Sequence, residues 1–334
     1  MTGINFGDLA SFVKSSRLTT QIKTDLERLT HEVASGEKSD ITKAVSGDFG
    51  PLSSIERSLR TLDSYARSIA ETSVFMTGVQ TSLGAVSDHV SSIAPSLLTA
   101  ASLGDATTLD VTAEDARARF ESVVSALNTH VGGRALFSGS ATHHTPLATS
   151  TEMLDSIRVD IAGLTDVNDI ITAVDAWFDD VGGGFETMGY GGSATALSDF
   201  SLSDTDTTSM TIKADDPSIR ELLKGFALAA LAGDSGIGGP ASQKTLLRTA
   251  GERLMSNEGD IARLRAQVGS SEARIEEVQL SNGAQTYAYT AAKSEIVSVD
   301  IYEAASQLTQ TESQLELAYT ITARLSRLNL SDFL

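Results

Sequence analysis

No cysteine occurs in the 334 residues, so a disulfide framework, a thiolate zinc site and a cysteine nucleophile are all excluded. Proline is scarce, at five residues, and aromatics reach only 5% with a single tryptophan. Such a composition suits long Ala/Leu/Ile/Val helix seams better than a thick globular core. Positive charge is also short: 25 Lys+Arg against 44 Asp+Glu give 25 − 44 = −19. That balance argues against nucleic acid or an anionic membrane as partner, since both attract Lys and Arg. No apolar run approaches the length that spans a bilayer. The opening MTGINFGDLASFVKSSR is interrupted by Asn5, Gly7 and Asp8, with no basic residue ahead of it, and does not read as a secretory signal.

The residues that could carry chemistry are equally sparse. His143 and His144 are adjacent, so they cannot share a helix face as an i, i+4 pair of metal ligands would. Asp204, Asp206 and the acids near Asp179 and Asp180 lack the spacing and closing Glu of a calcium loop. Gly182 to Gly184 follow a helical stretch, without the Lys-Ser/Thr of a phosphate cradle. Trp177 reads as core. No catalytic residue, metal or cofactor is expected, and the chain reads as a non-enzyme.

What the chain does have is heptad-like periodicity. Leu18, Ile22, Leu26, Leu29 and Val33 make one apolar stripe, and Ile301, Ala304, Leu308, Leu315, Ala318, Leu325 and Leu328 make another near the opposite end. Each stripe is too thin to support a helix alone. A forty-residue helix loses about 60 kcal/mol of conformational entropy at ~1.5 kcal/mol per residue, against ~2 kcal/mol for each of about a dozen buried apolar side chains. Pairing the two ends buries both stripes. Between Ala304 and Ala323 only Glu312 and Glu316 are charged, so the helix invites neighbours.

Between the ends, residues 35–51 read as a connector, and a rod follows from Ile55 through Leu59 and Leu62 to Leu97. Thr112 with Asp115 suggests a capped start for a third helix, which stops at Gly132-Gly133. A second rod runs from Leu247 to Val278 and on towards Val299. Asp216-Pro217 reads as an N-cap with proline in the first turn. Ile157, Val159 and Ile161 alternate, as do Met210, Ile212 and Ala214, giving two candidate strands. Residues 141–214 hold twelve acids against Arg158 and Lys213, 2 − 12 = −10, and are expected to form a solvated insert. The expected fold is mainly α: long antiparallel helices and a coiled coil formed by both chain ends, with a small inserted α+β domain. The expected domains are 1–45 with 290–334 (terminal coiled coil), 46–140 with 215–289 (long-helix stem), and 141–214 (insert).

Several segments resemble the flagellin superfamily of axial flagellar proteins, and within it the hook-filament junction proteins. Gly133-Arg134-Ala-Leu136-Phe137-Ser138-Gly139 is similar to that family's Gly-Arg-x-Leu-Phe-Ser-Gly. Ser294 to Asp300, Glu303-Ala304, Gln314-Leu315-Glu316 and Ala318-Tyr319 are similar to its C-terminal helix. Leu325 to Leu334, with Phe333, resembles its Leu-Ser-Leu-x-x-Phe/Tyr-Leu close, and Arg265 to Gly269 its Arg-Ala-x-x-Gly helix. Near the N-terminus the chain has Ala34-Ser-Gly-Glu-Lys38 where flagellins carry Ser-Gly-Leu-Arg-Ile-Asn, a departure that favours a junction protein over a filament subunit.

The resemblance implies a non-catalytic flagellar component, placed extracellularly by type III export without a cleavable signal. Its implied partners are another hook-associated protein, flagellin, copies of itself in a ring, and an export chaperone on the C-terminal stripe. Leu18, Ile22, Leu26, Leu29, Val33, Ile301, Leu308, Leu315, Ala318, Leu325, Leu328 and Phe333 would then form the assembly interface. The alternative within the family is a flagellin filament subunit.

Overall fold

The computed structural model describes residues 6–234 and 236–331, and the side chains of residue 10 and residues 13–324 apart from 235. Nine α-helices are described: α1 (Phe6–Ser35), α2 (Ile41–Ala44), α3 (Gly50–Leu103), α4 (Ala106–Leu127), α5 (Ser150–Asp160), α6 (Val167–Asp179), α7 (Pro217–Leu231), α8 (Gly239–Val297) and α9 (Ile301–Ser331). Two short antiparallel hairpins join them, β1 (His130–Val131) with β2 (Arg134–Ala135), and β3 (Phe200–Ser201) with β4 (Thr207–Thr208). The fold is mainly α, with the small strands near or within the acidic middle of the sequence. Packing divides the chain into two units, Met1–Leu62 with Ala284–Leu334, and Asp63–Gly283, so the divisions fall within α3 and α8. Residues 141–214 lie wholly in the larger unit.

That larger unit has one continuous core. Met76, Val79, Leu83, Val90 and Leu97 of α3, Phe120 and Leu127 of α4, Phe226 of α7 and Leu254 of α8 are buried in it together with Met153, Ile157, Trp177 and Phe178 of the middle segment. Its long helices approach closely because small residues face them. A Cβ on Gly251 would sit 2.9 Å from the Leu98 side chain, and one on Gly225 2.8 Å from that of Leu254.

The middle segment is fastened by ion pairs as well as by apolar packing. Arg117 of α4 and Arg158 of α5 both donate to Asp234, each at 2.7 Å. Lys224 of α7, buried, reaches Asp179 at 2.5 Å and Glu221 at 2.7 Å. Arg253 of α8 forks onto both oxygens of Asp175. Burial lowers the proton affinity of Lys224, but the hydrogen bonds it donates to the Asp179 and Glu221 carboxylates more than offset this and the pKa is raised. The β3–β4 hairpin crosses to both long helices. Tyr65 donates to Asp204 at 2.7 Å, Ser68 to the Ser201 carbonyl at 2.7 Å, and Asn282 to the Leu202 carbonyl at 2.8 Å.

Several local expectations are corrected. Ile157, Val159 and Ile161 do not form a strand. Thr149 and Glu152 make a capping box that starts α5, and Ile157 is buried one turn after Met153 while Val159 is exposed. Ile157 and Ile161, four residues apart, obey the helical period as well as the strand period. Met210, Ile212 and Ala214 do alternate inward, yet they belong to no strand, and the Ala214 N–H donates instead to the Phe137 carbonyl at 2.9 Å. The helix expected from Thr112 begins at Ala106, where the Asp105 carboxylate accepts the Thr108 N–H. The connector 35–51 contains the short α2, and the C-terminal helix is interrupted at residues 298–300. There Asp300 accepts the N–H groups of Tyr302 and Glu303 and starts α9 anew.

Candidate functional site

The smaller unit brings the two chain ends together. α1 packs on α9, and their direction is antiparallel: the end of α1 meets the start of α9, while further along Lys23 Nζ lies 5.6 Å over the Tyr319 ring. The joint is closed by backbone pairing. Glu37 and Ser298 form an antiparallel bridge, Lys38 N–H donates to the Val297 carbonyl at 2.8 Å, and Val299 N–H donates to the Gly36 carbonyl at 3.0 Å. Lys38 Nζ caps the last carbonyls of α8 through Ile296 O at 3.1 Å, the placement that a helix C-terminus favours for a cation. Glu32, 6% exposed, is neutralised there by Arg28 at 2.9 Å and by the Ser39 N–H at 3.1 Å.

The apolar residues expected at the interface separate into two groups. Ile22 and Leu29 of α1 are buried, and Leu26, Val33, Leu308, Leu315 and Ala318 are half-buried, with Ala304 at 2%. These are spent on the seam within the one chain. Leu18 and Ile301 remain open, at 55% and 56% exposure. Leu325 and Leu328 lie in α9 with side chains outside the described residues, as does Phe333 altogether. Further apolar residues that the stripes did not include are exposed on the same pair: Val13 on α1, and Tyr302, Leu317, Tyr319 and Ile321 on α9. Leu317 and Ile321, four apart and out of phase with Leu308 and Leu315, were the signal available in the sequence.

The segment Arg134 to Gly139 plays an internal part. Gly132 and Gly133 have φ of +58° and +77°, the doubly left-handed turn of a two-residue hairpin, and they reverse the chain from β1 into β2. Arg134 lays its guanidinium 5.4 Å over Phe75 and 5.8 Å over Phe200. Leu136, Phe137, Ser138 and Gly139 are all buried, and their backbone joins three other segments. Leu136 N–H donates to Thr129 O, while Phe137 O and Ser138 O accept the N–H groups of Ala214 and Ser193. The Ser138 hydroxyl has no hydrogen-bond partner. Gly139 has φ +60°, and a Cβ there would lie 2.5 Å from Thr195 O and 2.9 Å from Ser193 O.

His143 and His144 are both exposed. Among the described residues no group of three His, Asp or Glu converges as metal ligands, and no helix is long and apolar enough to cross a membrane.

Residues 256–334, which take in most of α8 and all of α9, match the bacterial flagellin C-terminal helical region. The fold is similar to that of FlgL from Bacillus cereus, with a TM-score of 0.52 at 16% identity, over 71% of this chain and 96% of that one. A Vibrio parahaemolyticus protein described as flagellar hook-associated aligns over 75% of this chain and 96% of its own, at 16% identity and a TM-score of 0.45. No curated protein sequence matches the chain.

Proposed function

We propose that the chain is a structural component of the bacterial flagellum, a junction protein joining the hook, through another hook-associated protein, to the flagellin filament. The observation that carries this reading is the α1–α9 pair. One of its two helices, α9, lies in the region similar to the flagellin C-terminus, the pair sits on a fold similar to that of FlgL, and it leaves Leu18, Ile301, Tyr302, Leu317 and Ile321 uncovered after its own seam is filled. Exposed apolar residues in such density on one helix pair mark a surface that neighbours cover. The role needs no catalysis.

In this proposal residues 1–45 with 290–334 are the assembling part, 46–140 with 215–289 the stem, and 141–214 an elaboration of the stem. Copies of the chain stand in a ring, and flagellin adds to it. Before assembly an export chaperone covers the C-terminal stripe, and the chain is exported to the cell exterior. The second reading, a flagellin filament subunit, rests on the same C-terminal match.

A tag inserted at Val181-Gly182, where Val181 is 97% exposed, separates the readings on purified flagella. A single labelled band at the distal end of the hook is the expected result. Label along the whole filament identifies a flagellin subunit, and no label on flagella at all removes both.

A further inference from the structure

Asn282-Gly283 is the one Asn-Gly step in the chain, and every other asparagine is followed by a residue with a side chain. Such a step is chemically labile, because glycine has no Cβ to shield its backbone nitrogen from the asparagine side chain. It lies inside α8, where the two residues differ sharply. Asn282 is 6% exposed, and its side-chain amide donates to the Leu202 carbonyl at 2.8 Å, which ties the β3–β4 hairpin to the helix. Gly283 is exposed and has nothing within 4 Å of where a Cβ would stand, whereas Gly251 of the same helix would meet Leu98 at 2.9 Å. Packing therefore does not ask for a glycine at 283. Its effect is to weaken α8 at that turn, since a helical glycine favours the open chain about fivefold relative to alanine. The helix is also little supported beyond it. Residues 283–288 are all exposed, and a stretch with few buried contacts is where a helix opens first.

We infer that Asn282 is a deamidation site gated by opening of α8 at Gly283, and that its conversion to an acid releases the β3–β4 hairpin from the helix. In the closed helix the reaction is blocked twice. The Gly283 N–H is spent on the carbonyl four residues earlier, as in any helical turn, and the Asn282 amide is held on Leu202. Opening frees both. The Gly283 nitrogen, having given its proton to solvent, attacks Cγ of Asn282. The N–Cγ bond forms, the Cγ–Nδ2 bond breaks, and the amide leaves as ammonia. Water adds to either carbonyl of the resulting five-membered imide and opens it to aspartate or isoaspartate. Ammonia is exchanged for water, with no oxidant or reductant. The product cannot resume the old contact, because an ionised carboxylate is acceptor-only. At position 282 it would face the Leu202 carbonyl, another acceptor, on a residue that is fully buried, and neither could satisfy the other. The isoaspartate form also lengthens the backbone by one methylene and breaks the helical period. The change is one-way, so it marks a chain that has opened there.

Peptide mapping by mass spectrometry of the full-length chain, aged in mildly alkaline buffer, tests this. Asn282 should convert in the folded chain, more slowly than in the same chain unfolded in urea. Gly283→Ala slows the cyclisation itself as well as the opening, so the ratio of folded to unfolded rate is compared between the two chains. That ratio should fall about fivefold in Gly283→Ala. The consequence is read on two chains, the aged one with Asn282 converted, separated by its added negative charge, and Asn282→Asp. In both, amide hydrogen exchange over residues 200–208 should quicken by about tenfold or more, with helicity kept in circular dichroism. A folded chain that converts as fast as the unfolded one, a folded chain that does not convert at all, or an unchanged ratio in Gly283→Ala overturns the gate. Unaltered exchange over 200–208 in the converted chains overturns the release of the hairpin.

Discussion

At the scale of single residues, Gly139 shows how a position visible in the sequence acquires its reason only in the fold. Its left-handed backbone costs an L residue about 1–2 kcal/mol, and the carbonyls of Thr195 and Ser193 stand where a Cβ would go. Those carbonyls are backbone, so they cannot swing aside as a side chain would. Gly139→Ala is therefore expected to cost the larger unit about 2 kcal/mol or more, lowering its thermal midpoint by several degrees. Gly133→Ala is the control. It has a similar φ of +77° but nothing within 4 Å of its Cβ, and should pay the backbone strain alone. Equal losses from the two substitutions in a melting experiment would refute the role assigned to the close approach. The neighbouring Arg134 carries the same lesson, since its rings, Phe75 and Phe200, lie 59 and 66 residues away in the sequence.

At the scale of elements, the helices were legible wherever an apolar stripe was long, as in α3 and α8, and misread where the stretch was short. Ile157 and Ile161 satisfied both periods, and the capping box at Thr149 and Glu152 decided for the helix. The terminal pair was legible as two matching stripes. Leu308 and Leu315, seven apart, lie half-buried on the face of α9 that packs on α1. Leu308→Asp with Leu315→Asp would place two carboxylates in that seam, at about 1–3 kcal/mol each. Expected is a loss of helical signal matching α1 and α9, with early proteolysis of both ends, while the unit Asp63–Gly283 melts as before. Protected ends in the double variant would show that the seam is not what holds α1 to α9.

At the scale of the whole molecule, the acidic middle segment is where composition and structure part. Twelve acids within residues 141–214 suggest a separate, solvated insert that could be removed without harm. Yet Met153, Ile157, Trp177 and Phe178 lie in the same core as Phe120 and Phe226, and Arg158, Asp175 and Asp179 are paired with Asp234, Arg253 and Lys224 outside the segment. Deleting 141–214 would expose that core face and leave Lys224, now buried, without Asp179. The deletion chain is expected to lose cooperative unfolding of the larger unit at room temperature, as read by circular dichroism, and a stem melting like wild type would restore the picture of an independent insert. By itself the sequence determined the helical class, the exclusion of thiolate chemistry, the two terminal stripes and the cap at Asp216, because each depends on residues within a turn or two of one another. Only the tertiary structure decided that Ile22, Leu29 and Ala304 are buried while Leu18 and Ile301 of the same stripes stay open, that Leu317 and Ile321 are exposed, and that the acidic segment belongs to the core of the larger unit. Burial depends on which distant surfaces meet, and neither periodicity nor composition carries that information.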